Sequence, residues 1–218
     1  MSSKVLEFLS DLKENNNRDW FNDHKEYYDE ARNEFVQLVE SLIPALAVNN
    51  PLMANLEIKD SIFRIYRDVR FSKDKSPYKT QMGAYLAPGG RKSIYAGHYI
   101  HIEPDNSFLA GGSYCPSGDK LKNIRSEILY NTDEFKSIIN TSDFKNLFGD
   151  ISGSKLKRPP IGFPKDFEDI ELLKFKDYTI FHPVKNEAID NPDFLKNAIS
   201  IFEKMNPFND FLNKAIAS

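Results

Sequence analysis

The spacing of apolar residues changes at Ile62, and this change limits the folds open to the chain. Between Phe21 and Leu42 the apolar side chains recur at intervals of three, four or seven residues. That spacing predicts a long amphipathic helix, with Pro44 near its end. From Ile62 to Phe71 apolar and polar residues alternate, which predicts a β-strand with one buried face.

Glycine and proline divide the following segment into short strands. The candidate strands are "MGAYLAP", "IYAGHYIHIEP" and "SFLAGGSY", separated by the turns "GGRK" and "DN". Connections this short leave no room for crossover helices, so the strands should pair antiparallel. Helices are expected again after Pro116, "DYTIFHPV" is a late edge strand, and Asn191-Pro192 begins a final helix. The predicted fold is α+β, an antiparallel β-meander over about residues 62–114 packed with N-terminal and C-terminal helices.

Length and composition set broad limits. A chain of 218 residues is expected to form a single domain, 1–218. The single cysteine, Cys115, excludes an internal disulfide and a cysteine-based zinc site. No stretch has the apolar character of a signal peptide or a membrane span, so we expect a cytoplasmic protein without membrane contact. The formal charge of −3 argues against a protein that grips duplex nucleic acid.

A local basic cluster stands out against this acidic background. The stretch "RIYRDVRFSKDKSPYK" holds six basic residues and two acids, Asp68 and Asp74. In a strand, Arg64, Tyr66, Asp68 and Arg70 would share one face, with about 6.5–7 Å between alternate residues. Arginine forks at that spacing can converge on one phosphate or carboxylate. The alternative is an internal ion-pair network in which Asp68 neutralises its neighbouring arginines.

The same stretch carries a specific resemblance. The pattern Arg64-x-x-Arg67-Asp68-x-Arg70-Phe71-x-x-Asp74-Lys75-x-x-Tyr78 resembles the signature of DUF2461, a bacterial family also called TIGR02453. "FLSDLKENNNRDWF", "HIEPDNSFLAGGSYCPS" and "LKRPPIGFPKDFEDIELLKFKDY" resemble further segments of that family. The resemblance implies one domain of about this length, and it implies no activity.

Histidines offer a second kind of chemistry. His98 and His101 lie three apart on a predicted strand, so they point to opposite faces and cannot chelate one metal together. His101 and Glu103 share a face with Tyr99. We predict no metal site and no cofactor, and His101 is a candidate general base beside a bound anion.

Three functions are compatible with these residues. The leading prediction is binding of a small phosphorylated or carboxylated molecule at the arginine-lined sheet face. Its expected ligand-binding residues are Arg64, Tyr66, Arg67, Arg70, Lys75 and Tyr78. The first alternative is an enzyme at the same site, with Asp68 or His101 as the base. The second is an interaction module for single-stranded nucleic acid, with Tyr66, Tyr78 and Tyr99 as stacking surfaces. The oligomeric state stays open.

Overall fold

A computed structural model describes residues 3–218 as an α+β fold. The longer α-helices are α1 (Lys4–Glu14), α2 (Arg18–Asp23), α3 (Lys25–Asn49), α5 (Gly118–Tyr130), α6 (Thr132–Ile139), α7 (Ser142–Phe148) and α10 (Phe194–Ala217). Single turns of α-helix are α4 (Ile58–Ser61), α8 (Ile170–Leu173) and α9 (Asn186–Ile189). Two 3-10 turns cover Pro51–Asn55 and Gly90–Lys92. No helix within residues 3–218 is long and apolar enough to cross a bilayer.

Four strands form one antiparallel sheet. They are β1 (Met82–Leu86), β2 (Gly97–Ile102), β3 (Ser107–Ser113) and β4 (Tyr178–Val184), and each pairs with its neighbour in sequence order. The predicted α+β class and the antiparallel meander are therefore confirmed. Strand β4 occupies an edge, where Pro183 removes no hydrogen bond from a central ladder.

The Cα positions group into two compact units. Unit 1 contains residues 1–91, 99–109 and 183–200, and unit 2 contains residues 92–98, 110–182 and 201–218. The expectation of a single domain stays a prediction beside this grouping.

The N-terminal helices of unit 1 follow their sequence signals with two exceptions. Asn17 is a favourable N-cap residue and caps α2, because its side-chain oxygen accepts a hydrogen bond from the backbone N–H of Trp20. The predicted single long helix is interrupted at His24, which separates α2 from α3. Pro44 does not end α3, which continues to Asn49. The buried side chains of Ile43 and Leu46 flank the proline, and their burial offsets the lost backbone hydrogen bond.

Aromatic rings fill the core of unit 1. The Phe8 ring on α1 is fully buried, with the rings of Trp20, Phe21, Tyr27 and Tyr28 at centroid distances of 5.4–6.3 Å. Edge-on and tilted contacts of this kind add to the free energy gained from burial. They fix the position of the Asn15-Asn16-Asn17 turn, which matters for the site described below.

Unit 2 has its own buried cluster. The Phe135 ring on α6 lies 4.9 Å from Phe211 and 6.0 Å from Phe208 on α10. Strand β4 contributes Tyr178, which is fully buried and donates its hydroxyl to the backbone oxygen of Leu172. A buried phenol needs such a partner, and this one ties β4 to the end of α8.

The predicted strand over residues 62–71 is much shorter in the structure. Ile62 and Tyr66 make isolated antiparallel bridges, to Ala84 and Tyr78, and the regular strands begin only at Met82. Ile65 is buried as the alternation predicts, but Phe71 is 95% exposed. The alternation predicts the wrong environment for Phe71 because the chain leaves the extended arm after Arg67 and turns into a loop.

Candidate functional site

The basic segment forms an irregular hairpin in unit 1. Its arms are residues 62–67 and 77–84, joined by backbone hydrogen bonds of 2.8–2.9 Å. Four positions separate the bridged residues Ile62 and Tyr66, whereas six separate Tyr78 and Ala84. The two extra residues lie between Lys79, whose backbone N–H donates to Ile65, and Gly83, whose backbone oxygen accepts from Phe63, so the second arm bulges over residues 80–82.

Asn16 holds the second arm in place. Its side-chain amide donates to the backbone oxygen of Tyr78 at 3.0 Å and accepts from the backbone N–H of Tyr78 at 3.1 Å. With these two bonds the Asn16 amide satisfies the backbone groups of Tyr78 that a neighbouring strand would otherwise bond. The asparagine-rich turn after α1 is thus part of the framework of the site.

Two of the predicted arginines are already paired within the loop. Arg67 forms an ion pair with Asp74, and Arg70 donates to both carboxylate oxygens of Asp68 at 2.9 and 2.7 Å. Hydrogen bonds from Ser76 and then Arg67 hold the pKa of Asp74 far below its usual value. Bonds from Arg70 lower the pKa of Asp68 in the same way. The alternative, in which Asp68 neutralises Arg64 and Arg70, therefore holds for Arg70, whereas Arg67 pairs with Asp74 and Arg64 with neither acid.

The remaining predicted residues are spread out. Lys75 donates to the backbone oxygen of Val69 at 2.9 Å. Tyr78 is 4% exposed and stacks on Phe21 at 4.0 Å, whereas Tyr66 is 49% exposed. The predicted ligand-binding residues therefore do not converge on one point.

A different group of cations does converge. Around the half-exposed ring of Phe63 lie Lys79, with its ammonium 5.6 Å from the ring centroid, and Arg91, with its guanidinium carbon 5.8 Å away. Arg64 is near enough that its charge and that of Arg91, after burial, lower the pKa of Lys79. Within residues 3–218 none of the three forms an ion pair with a carboxylate, and Asp68, whose pKa the charge of Arg64 helps to lower, is bonded to Arg70. We call Arg64, Lys79 and Arg91 the cation cluster.

Arg91 reaches this cluster because of a glycine. Gly90 has φ +61° and lies so close to Asp60 that a Cβ atom would stand 2.4 Å from the Asp60 backbone oxygen. Only glycine allows that approach. Arg91 then donates to the backbone oxygens of Asp60 at 3.0 Å and Lys59 at 2.9 Å, near the C-terminal end of α4.

A hydrogen-bonded series of polar side chains lies beside the cluster. The Tyr99 hydroxyl is 3.1 Å from His101 Nδ1, and His101 Nε2 is 3.2 Å from Glu103 Oε2. The Phe108 ring stacks on the imidazole at 4.4 Å and fixes its plane. Residues at alternate positions of an extended strand share a face, so β2 and the residue after it present all three groups together. We call Tyr99, His101 and Glu103 the polar series.

The ionisation of the polar series follows from its surroundings. Burial lowers the pKa of His101, against the opposing effect of Glu103, so the imidazole is neutral near pH 7. Burial tends to raise the pKa of Glu103, but hydrogen bonds from Asn106, His101 and Thr80 outweigh it and lower the pKa. Nε2 therefore carries the hydrogen and donates to Glu103, which leaves Nδ1 as an acceptor for the Tyr99 hydroxyl. Burial and then the charge of Glu103 raise the pKa of Tyr99 to about 12, so its hydroxyl is protonated.

The cation cluster and the polar series share two connections. The Phe63 ring, which lies among the cations, meets the Tyr99 ring edge-on at 6.0 Å. Thr80, next to Lys79 in the chain, donates to Glu103 Oε1 at 3.2 Å.

An open groove of about 560 Å³ has Lys79 in its wall. The residues that line it are Lys13, Asn16, Arg67, Asp68, Asp74, Ser76, Tyr78, Lys79, Thr80 and Gln81. A ligand can approach Lys79 through this groove.

The sequence did not indicate every member of this site. The turn predicted at "GGRK" makes Arg91 a solvated residue, and the alternation from Ile62 to Phe71 places Phe63 on the buried face of a strand. The available signal was the pair Gly89-Gly90 before Arg91, because consecutive glycines permit a close approach of the backbone to another segment. No group of three or more His, Cys, Asp or Glu side chains in residues 3–218 is arranged to hold a metal ion.

Comparisons with known proteins identify a family. A family model described as "Conserved hypothetical protein (DUF2461)" matches residues 4–211, so the chain belongs to this family. Comparison with curated proteins finds no match, and comparison with solved structures finds none either. The resemblance seen in the sequence is confirmed, and it adds no activity.

Proposed function

We propose that the protein binds a small phosphorylated or carboxylated molecule at the cation cluster. The observation that supports this most directly is the contact of Lys79 and Arg91 with the Phe63 ring, with Arg64 nearby and no ion pair from the three to a carboxylate among residues 3–218. Burial, and then the like charges of Arg64 and Arg91, lower the pKa of Lys79. A bound anion would remove the repulsion between these like charges.

The framework around the cluster favours binding over accidental proximity. Arg91 is anchored by two backbone oxygens, and Lys79 is half-buried on an arm that Asn16 fixes. Side chains positioned before the ligand arrives lose little conformational entropy on binding. The ligand-binding set in this proposal keeps Arg64 and replaces the paired Arg67 and Arg70 with Lys79 and Arg91.

The stacking surfaces for single-stranded nucleic acid receive less support. Tyr78 is buried against Phe21, and the Tyr99 hydroxyl is engaged in the polar series. Of the three tyrosines only Tyr66 is largely exposed. Anion binding is therefore the function that the geometry supports best.

Titration calorimetry with inorganic phosphate and, separately, with acetate tests this proposal. Arg64→Gln and Lys79→Gln should each weaken phosphate binding by about tenfold or more, because a hydrogen bond to a charged group contributes about 1.5–3 kcal/mol. The double variant Asp68→Asn/Arg70→Gln removes the ion pair of the same hairpin without freeing a carboxylate near Arg64, and it is the matched control. Its affinity should stay within about twofold of the parent protein, since the two substitutions together leave the net charge unchanged.

The comparison separates four results. Tighter binding of phosphate than of acetate favours a phosphorylated ligand, and the reverse favours a carboxylated one. Equal affinity in all variants would contradict the proposal. Loss of affinity only in the Asp68→Asn/Arg70→Gln double variant would return the site to the predicted strand face.

A further inference from the structure

The polar series has the arrangement of an activated nucleophile. A nucleophile, a base within about 2.6–3.2 Å of it and a third group that orients the base are the shared elements of nucleophilic catalysis in proteins. Tyr99, His101 and Glu103 meet both distance requirements, at 3.1 and 3.2 Å. The stacked Phe108 ring limits rotation of the imidazole, so the orientation does not depend on Glu103 alone.

We propose that Tyr99 is a catalytic nucleophile that accepts a phosphoryl group from a small phosphate monoester or acyl phosphate. This inference rests on the proposed function, because the cation cluster would hold the transferring phosphoryl group. The His101 imidazole acts as the general base, and Glu103 is a positioning residue.

The bond changes are those of a double displacement. The Tyr99 oxygen attacks phosphorus, the bond from phosphorus to the leaving oxygen breaks, and the Tyr99 proton moves to His101 Nδ1. The leaving oxygen, on the side of phosphorus opposite Tyr99, takes a proton from solvent, while Glu103 stabilises the imidazolium. In the second step water attacks the phosphotyrosine from that opposite side and gives its proton to solvent, and the imidazolium returns its proton to the departing Tyr99 oxygen, so that inorganic phosphate is released.

The environment explains why a base is required. The hydroxyl of Tyr99 is partly buried beside the Glu103 carboxylate and does not ionise by itself near neutral pH. Removal of its proton during attack avoids a free tyrosinate in a desolvated place. The neutral Nδ1 of His101 is the acceptor that this step needs.

The position of the series beside the cation cluster provides the charge stabilisation. Attack on a phosphate monoester brings the developing negative charge of the nucleophile close to the negatively charged phosphate oxygens. Fixed cations commonly offset this repulsion in phosphoryl-transfer sites. Lys79 and Arg91 both contact the Phe63 ring, and the same ring meets the Tyr99 ring edge-on. The nucleophile and these two cations therefore contact one common side chain.

Gly83 on β1 leaves the space that Tyr99 occupies. A Cβ atom at this position would stand 2.3 Å from the Tyr99 hydroxyl oxygen and 2.9 Å from the adjacent ring carbon. No side chain other than hydrogen fits there while the hydroxyl keeps its place beside His101. Gly83 therefore permits the Tyr99 rotamer that places the hydroxyl beside His101.

Incubation of the full chain with p-nitrophenyl phosphate, and separately with acetyl phosphate, tests the inference. We expect an increase of about 80 Da on the peptide containing Tyr99 in rapidly quenched samples, together with release of p-nitrophenolate. Tyr99→Phe should abolish the adduct, and His101→Asn should slow its formation by about 10²–10⁴-fold. Tyr130→Phe, at a tyrosine that is 81% exposed, is the matched control and should behave as the parent protein.

Three further variants distinguish chemistry from structure. Glu103→Gln should lower kcat with little change in KM, and Glu103→Asp should recover part of the loss, because a carboxylate can still accept from Nε2. Gly83→Ala should reduce adduct formation by about tenfold or more while the affinity for inorganic phosphate is retained, because a displaced hydroxyl loses its base.

The phosphate titration separates the two proposals. If phosphate binds at Arg64 and Lys79 but neither probe gives an adduct on Tyr99, the nucleophile is wrong and the anion site stands. Turnover that depends on Tyr99 and His101 without any phosphotyrosine would also overturn covalent catalysis. If phosphate does not bind, the proposed function fails first.

Discussion

Gly112→Ala is expected to lower the free energy of unfolding by about 4 kcal/mol. Gly112 on β3 has φ +114°, a conformation that side chains other than glycine rarely adopt. A Cβ atom would also stand 2.0 Å from the backbone oxygen of Tyr178 and 2.9 Å from Thr179 Cα. Backbone strain of about 1–3 kcal/mol adds to an overpacking cost of about 1–3 kcal/mol.

Gly118→Ala is the matched control for that substitution. Gly118 begins α5, and no atom lies within 4 Å of the position that its Cβ would take. Alanine is the better helix former, so this variant should be neutral or slightly stabilising. Urea unfolding of both variants measures the difference, and equal midpoints would show that β4 moves away at little cost.

Most of the secondary structure could be predicted from the period of apolar residues and from turn chemistry. The three strands that follow Gln81, the edge strand at Tyr178 and the cap at Asn17 all lie where local signals place them. Besides the break in the predicted long helix at His24, the failures are at Pro44 and at residues 62–71. In the first, burial on both sides of a proline outweighs the local preference for a helix end. In the second, ion pairs within residues 67–76 stabilise a loop where the alternation predicts a strand.

The charge of the site was predictable, but its pairing was not. The count of residues in the segment shows a surplus of positive charge. In the structure Arg67 and Arg70 form ion pairs with Asp74 and Asp68, whereas the cation cluster forms no ion pair within residues 3–218. That outcome depends on Arg91, which arrives from another segment through the close approach of Gly90 to Asp60. No spacing rule within a single segment reports such a contact.

The polar series illustrates the opposite case. Tyr99, His101 and Glu103 alternate in sequence, so their shared face was visible at once. Their hydrogen bonds were not, because a polar sheet face can equally well be solvated. Phe108 and Thr80, from β3 and the hairpin, convert the alternation into a series with defined donors and acceptors.

His98 should make the protein less stable in mild acid, by about 2 kcal/mol between pH 7 and pH 5. Its imidazole in unit 2 is fully buried, and burial lowers its pKa from 6.5 to about 4, against the opposing hydrogen bonds to Phe202 and Asn206. The unfolded chain therefore binds a proton more readily than the folded protein. Stability is complete above pH 6.5 and is lost as the pH falls towards 4.

Comparison with His98→Gln isolates this effect. The glutamine amide can still donate to the backbone oxygen of Phe202, but it does not titrate, so the variant should lose about 2 kcal/mol less than the parent protein over the same range. His101 shifts in the same direction and is present in both proteins, so its contribution cancels in the difference. Urea unfolding at pH 7, 6 and 5 measures the slopes, and NMR titration of the His98 ring in the parent protein gives its pKa directly. Identical slopes, or a ring that titrates near 6.5, would show that the buried imidazole is not the source of acid sensitivity.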